Sequence, residues 1–179
     1  MTDYYAEQLA LAEAFDDYLV RRLVAEGHPA HRHLGRAAQL AHGDLSICGV
    51  DVEVKFDQLF HTTGNLFIEI AEKREASRVQ WTSSGIFSGS AAPWYGIGDY
   101  RDWFVLSRAW LKRLVPAPSG VITIGRGTSR GFLLPTPTRS SGVKSERHWR
   151  DYTALGALIY DGTALDPESY LPLSWREAT

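Results

Sequence analysis

The chain has 179 residues, 44% of them hydrophobic, which fits one domain with its own core. Six Trp, seven Phe and eight Tyr exclude a composition of the disordered kind, and one cysteine, Cys48, excludes an internal disulfide and suits a reducing compartment. A formal net charge of −2 and a pI near 6.3 exclude a globally basic nucleic-acid binder, so such a role must rest on a local patch.

From Asp3 to about Glu26, Tyr5, Leu9, Ala12, Phe15, Leu19, Val20 and Leu23 recur at three- and four-residue steps, which predicts an amphipathic helix ended by Gly27 and Pro29. This start is acidic, and nothing along the chain approaches the roughly eighteen apolar residues of a membrane span; a cytoplasmic protein with no membrane partner is expected. His28 to Gly43 reads as a connecting loop, because His28, His31 and His33 have no familiar metal-ligand spacing.

Three segments with strand character follow: Asp44 to Cys48, Asp51 to Asp57 and Leu66 to Ala71. A tight turn at Cys48-Gly49-Val50 and a longer loop over Gln58 to Asn65 predict a three-stranded antiparallel meander. Ser83 to Gly98 reads as a small-residue loop interrupted by Trp94 and Tyr95. Asp102 to Leu106 reads as a strand leading into a helix over Arg108 to Val115, with Trp110, Leu111 and Leu114 on its apolar face.

Pro116 to Gly120 ends that helix and divides a core at 1–115 from an extension at 116–179. Val121 to Ile124 and Gly131 to Leu134 predict a small hairpin. Between Arg126 and Arg150 stand Arg126, Arg130, Arg139, Lys144, Arg147 and Arg150 against one acid, Glu146. This segment is either a solvated loop or an arm along a nucleic-acid backbone, with Trp149 or Phe132 to stack on a base. The acidic stretch from Asp161 reads as an irregular tail packed by Tyr170, Leu171 and Trp175.

The candidate chemistry centres on Asp44 and Glu53-Val54-Lys55. Alternation puts Asp51, Glu53, Lys55 and Asp57 on one strand face and Val52, Val54 and Phe56 on the other. A half-exposed antiparallel strand shows the same alternation without any function. A short hairpin, however, brings Asp44 beside Glu53, and two carboxylates with the Val54 carbonyl and waters make an oxygen shell suited to magnesium, or to manganese in its place. Lys55 would stabilise negative charge on a phosphate under attack by water. Asp16 falls within the apolar stripe of the first helix and needs a partner, which is either this site or a structural Arg; Glu13 is the reserve candidate.

These residues resemble the PD-(D/E)xK nuclease superfamily, in particular its small phage-type and Holliday-junction-resolvase-like members, in which an Asp on one strand precedes a Glu-x-Lys on the next. The resemblance continues through Phe56-Asp57, Thr63-Gly64-Asn65, Glu69, Ser84-Gly85-Ile86 and Asp102-Trp103-Phe104. It covers roughly residues 10–115; the segment between Ile86 and Asp102 is longer than the pattern, and nothing after Pro116 has a counterpart in it.

The resemblance implies an α/β, restriction-endonuclease-like core with an N-terminal helix on a mixed central sheet, a second helix and a small β-rich C-terminal extension. It also implies a magnesium-dependent endonuclease acting on DNA in the cell, phage-encoded in the type it resembles. Asp44 and Glu53 would be metal ligands with the Val54 carbonyl, and Lys55 and Asp16 would complete the catalytic set. Thr63 and Asn65 are either turn formers or part of the rim that touches phosphate, together with Arg126, Arg130, Arg139 and Lys144. Asp57 and Glu69 are secondary candidates, Glu69 alternatively pairing with Lys73. A homodimer would set two such sites against two strands. The rival readings are a binding or assembly factor that keeps the fold without catalysis, and a carbohydrate- or protein-interaction domain displaying Trp81, Trp94 and Tyr95.

Overall fold

A computed structural model describes residues 4–135 and 158–160. Helix α1 (Tyr4–Ala25) matches the predicted span, and Phe15, Leu19 and Leu23 are buried. Leu9 remains 48% exposed, so the helix docks through its C-terminal half. Arg139, Lys144, Arg147, Trp149, Arg150, Tyr170, Leu171 and Trp175 lie outside the described residues.

The expected loop after α1 contains β1 (Ala30–Arg32) and α2 (Arg36–His42). Neither is visible as a periodic pattern: β1 is three residues long and is held by antiparallel pairing to β2 (Leu45–Ile47), and α2 buries no residue. β2 and β3 (Val50–Phe56) form the expected hairpin, with Ile47 opposite Val50. Its two turn residues, Cys48 (φ 51) and Gly49 (φ 78), both take the left-handed backbone that suits a tight turn to the strand twist.

The three-stranded meander is not formed. After α3 (Phe60–Thr63), β4 (Asn65–Glu72) leaves for a second sheet, and the place beside β3 is taken by β6 (Trp94–Gly98), running parallel to it. The segment read as a small-residue loop thus supplies a central strand. Its glycines serve packing: a Cβ on Gly96 would lie 2.5 Å from the Trp103 ring. β5 (Thr82–Ser83) precedes β6, and β7 (Trp103–Ser107) leads directly into α4 (Arg108–Arg113), as expected. Beyond a break at Pro116 come β8 (Ile122–Ile124), β9 (Ser129–Pro135) and β10 (Leu158–Tyr160).

The fold is α/β, with a mixed sheet of order β1-β2-β3-β6-β7-β10 and an antiparallel sheet of order β5-β4-β9-β8. Two cores separate the layers. On one face of the mixed sheet, Phe15, Leu19 and Leu23 of α1 meet Val52, Val54, Trp103 and Val105. On the other, Tyr95, Ile97, Phe104 and Leu106 meet Leu66, Ile68, Phe132 and Leu134 of the second sheet and Trp110 and Leu111 of α4. The predicted β8–β9 hairpin forms, and through Phe132 and Leu134 it belongs to this core rather than lying beyond it. Full burial of each such side chain contributes about 1.5–3 kcal/mol. Among the described residues no helix is long and apolar enough to cross a membrane.

Candidate active site

The register of β3 against β6 sets the faces. Glu53 stands beside Tyr95 and Lys55 beside Ile97, so both polar side chains point toward the second sheet, while Val52 and Val54 point toward α1. The alternation expected for Asp51, Glu53 and Lys55 therefore holds. Glu53 is buried, and its Oε1 lies 3.7 Å from Lys55 Nζ.

Asp44 sits one residue before β2, where that strand parts from β3. Its N–H donates to the Val52 carbonyl at 2.9 Å, and its Oδ2 accepts the Val54 N–H at 2.8 Å. In a strand, one residue's N–H and C=O point to the same edge. The Val54 carbonyl therefore opens on the edge occupied by the Asp44 carboxylate. Gly43 is what lets the chain pass so close: at φ 81, a Cβ there would lie 2.7 Å from both the Val52 carbonyl oxygen and Ala92.

Charge is concentrated around this point. Burial pushes the Asp44 pKa up, the Glu53 charge adds to it, and the Val54 hydrogen bond and Lys55 only partly oppose them. Burial works against the Lys55 ammonium, but Glu53, Glu69, Asp44 and Glu72 together outweigh it and raise its pKa. Lys55 is thus a fixed cation and not a proton acceptor.

Asp16 approaches from the α1 side. It is buried, its Oδ2 is 3.9 Å from Arg32 Nε, and its pKa is pushed up to about 7 by burial and then by Asp44, against the pull of Arg32 and Lys55. Both proposed partners, a structural Arg and the Asp44–Lys55 site, are within electrostatic reach. Glu13 is exposed, and its charge bears on Arg32.

Glu69 reaches the site from the second sheet. A β-bulge shifts the β4–β9 register between Glu69 and Ala71, and Ser84 Oγ donates to Glu69 Oε1 at 2.7 Å. Gly85 follows at φ 55, where a Cβ would be 2.2 Å from the Glu69 carbonyl oxygen, so the Ser-Gly-Ile turn has a steric reason. Lys73 does not pair with Glu69; its ammonium donates to the Ala76 and Arg78 carbonyls.

Asp57 does not join the site. Its carboxylate accepts the N–H groups of Leu59 at 3.0 Å and Phe67 at 2.9 Å, tying the end of β3 to α3 and β4. Thr63 and Asn65 are likewise spent on their turn: Asn65 Nδ2 donates to the Thr63 carbonyl at 2.8 Å, and the Asn65 N–H donates to Thr63 Oγ1 at 3.2 Å. Of the aromatics behind the interaction-domain reading, Tyr95 is fully buried and Trp94 packs against the α1 core, while Trp81 stays half-exposed.

Sequence reasoning missed Arg108 and Ser88. Arg108 is buried, among the described residues no carboxylate is hydrogen-bonded to it, and all five of its N–H donors go to loop 86–92: Nε to the Ile86 carbonyl, Nη1 to those of Ser90 and Ala92, Nη2 to the Ser88 carbonyl and Oγ. The loop so held brings Ser88 Oγ to 3.5 Å from Glu53 Oε1. An Arg opening a helix directly after a buried strand was the signal available. His33 and His42 were also unassigned; they bracket Asp51 at 3.2 and 2.9 Å, with their rings stacked 5.0 Å apart.

Among the described residues no group of three or more His, Cys, Asp and Glu side chains is assembled to hold a metal ion. The nearest candidates are the carboxylates of Asp44, which accepts the Val54 N–H, and of Glu53, whose charge acts on it, with the Val54 carbonyl; such oxygen donors suit a hard cation that keeps much of its own water. No family model, curated protein or solved structure matches the chain.

Proposed function

We propose that the protein is a magnesium-dependent endonuclease that hydrolyses phosphodiester bonds in DNA. The observation that carries this reading is the meeting of Asp44, Glu53 and Lys55 where β2 and β3 part, with the Val54 carbonyl opening on the same edge. Burial and the nearby Glu53 raise the cost of the Asp44 charge, which a divalent cation would offset, and Lys55 remains positive beside them.

In this reading Asp44, Glu53 and the Val54 carbonyl hold magnesium, for which manganese can substitute. When bound, the ion polarises the phosphate and promotes ionisation of the attacking water. Lys55 stabilises the negative charge that gathers on phosphorus, an effect worth about 10²–10³ in rate. Glu53 keeps Lys55 in place, Ser88 and Arg108 fix Glu53, and Asp16 adjusts the charge behind Asp44. The fold assignment as restriction-endonuclease-like belongs to the same proposal. It is supported by a hairpin bearing the Asp and the Glu-x-Lys and by a helix packed on the mixed sheet.

One observation favours the rival, a nucleic-acid-binding or assembly factor without catalysis: among the described residues no group of three or more His, Cys, Asp and Glu side chains could hold a metal ion. Incubation with supercoiled, linear and branched DNA in magnesium or in EDTA separates the two. Strand scission that EDTA abolishes supports the nuclease; binding indifferent to the cation, without scission, supports the rival.

A further inference from the structure

We propose that the end of the second sheet carrying loop 73–81 and turn 125–128 is a docking surface for the phosphodiester backbone of DNA, organised around Trp81. This rests on the nuclease reading and specifies where its substrate lies away from the bond that is cut.

The loop and the turn emerge side by side and are joined by the Lys73 N–H, which donates to the Thr128 carbonyl at 2.8 Å. Residues 74–80 are all exposed. Lys73, Arg74, Arg78, Arg126 and Arg130 gather here against Glu72 and Glu75. The half-exposed Trp81 ring has the Arg130 guanidinium carbon 4.2 Å and Lys73 Nζ 4.7 Å from its centroid. The two cations do different work. Lys73 spends its donors on the Ala76 and Arg78 carbonyls and so shapes the loop. Arg130 is exposed and its guanidinium makes no hydrogen bond among the described residues, so its N–H edge is available to an anion while the indole holds the group in place.

A guanidinium already fixed loses less freedom on meeting a phosphate, and its fork matches phosphate oxygens. The surface is also continuous with the candidate active site, because β4, which runs into this loop at Glu72, carries Glu69, bonded to Ser84 four residues before the Ser88 that meets Glu53. A polyanion with regularly repeated phosphates, one of them presented to Lys55, matches this placement better than an isolated acidic group.

The test is fluorescence anisotropy of the full chain with a labelled duplex of about twenty base pairs in EDTA, across a salt series. Arg130→Ala and Arg78→Ala are each expected to weaken binding several-fold and to lower the slope of log affinity against log salt by about one. Trp81→Ala should match Arg130→Ala, and the double variant should bind no more weakly than either single one, because the ring acts through the guanidinium. Trp81→Phe should retain most of the affinity and controls for folding. Arg21→Ala, on α1 behind the opposite face, should bind as the wild type does.

Unchanged affinity and salt slope in Arg130→Ala and Arg78→Ala would overturn the surface, as would tighter binding of polyglutamate than of duplex. Magnesium-dependent cleavage by a wild type whose affinity ignores these substitutions would leave the nuclease reading standing without the surface. Binding that depends on them, with no cleavage, would keep the surface and refute the nuclease reading.

Discussion

The Val54 amide donates to the Asp44 carboxylate at 2.8 Å, so the residue that opens β2 closes the gap that β2 leaves beside β3. Asp44 therefore does structural work with one oxygen, while burial and Glu53 raise the cost of its charge.

These two duties separate by substitution. Asp44→Asn keeps an acceptor for Val54 and removes a charge repelled by Glu53, so in EDTA its thermal midpoint should equal or exceed that of the wild type. Its magnesium-dependent cleavage should fall by about 10²–10³-fold. Asp44→Ala should lose the same activity and also about 1–3 kcal/mol of stability, because a buried N–H is left without a partner. Melting curves and plasmid nicking measure the two effects independently.

Asp16 should make the metal-free protein sensitive to pH. Its carboxyl pKa is raised from 3.8 to about 7, so the folded state holds a proton that the unfolded state gives up. That contribution is fully present below the unfolded value and is lost as pH rises through about 7. Urea unfolding in EDTA should show the wild type losing stability between about pH 4 and about pH 7, by at most about 4 kcal/mol, and Asp16→Asn losing clearly less. Equal losses in both proteins would show that Asp16 does not titrate there.

Arg108 should matter for both stability and chemistry. With five donors spent on loop 86–92, Arg108→Ala strands several buried carbonyls and should cost about 3–5 kcal/mol in urea unfolding. Arg108→Lys restores the charge but only three donors, so it should recover part of the stability. Cleavage by Arg108→Lys should still fall, since Ser88 loses its hold and with it the contact to Glu53.

The sequence made α1, the β2–β3 hairpin and α4 legible because each carries its own periodicity or turn chemistry. Phe15, Leu19 and Leu23 repeat at helical steps, and Gly49 marks the turn. The strand β6 was hidden because Gly96 and Gly98 look like loop residues until Trp103 and Asp102 are seen filling the space a side chain would need. The departure of β4 was hidden because the loop from Gln58 to Asn65 allows a hairpin as readily as a crossover; Asp57, bonded to Phe67, directs the chain away. In the site, Asp44, Glu53 and Lys55 were legible from spacing. Arg108 was not, because its partners are main-chain carbonyls, which no residue type announces.

In the proposed reaction Lys55 stabilises a phosphodiester under attack beside a cation held by Asp44 and Glu53. The most direct measurement is the nicking rate of supercoiled plasmid in magnesium by Lys55→Ala and by the wild type, at protein concentrations that saturate the DNA. The account predicts scission by the wild type that EDTA abolishes, and a loss of about 10²–10³-fold in Lys55→Ala. Cleavage by Lys55→Ala at the wild-type rate would contradict it.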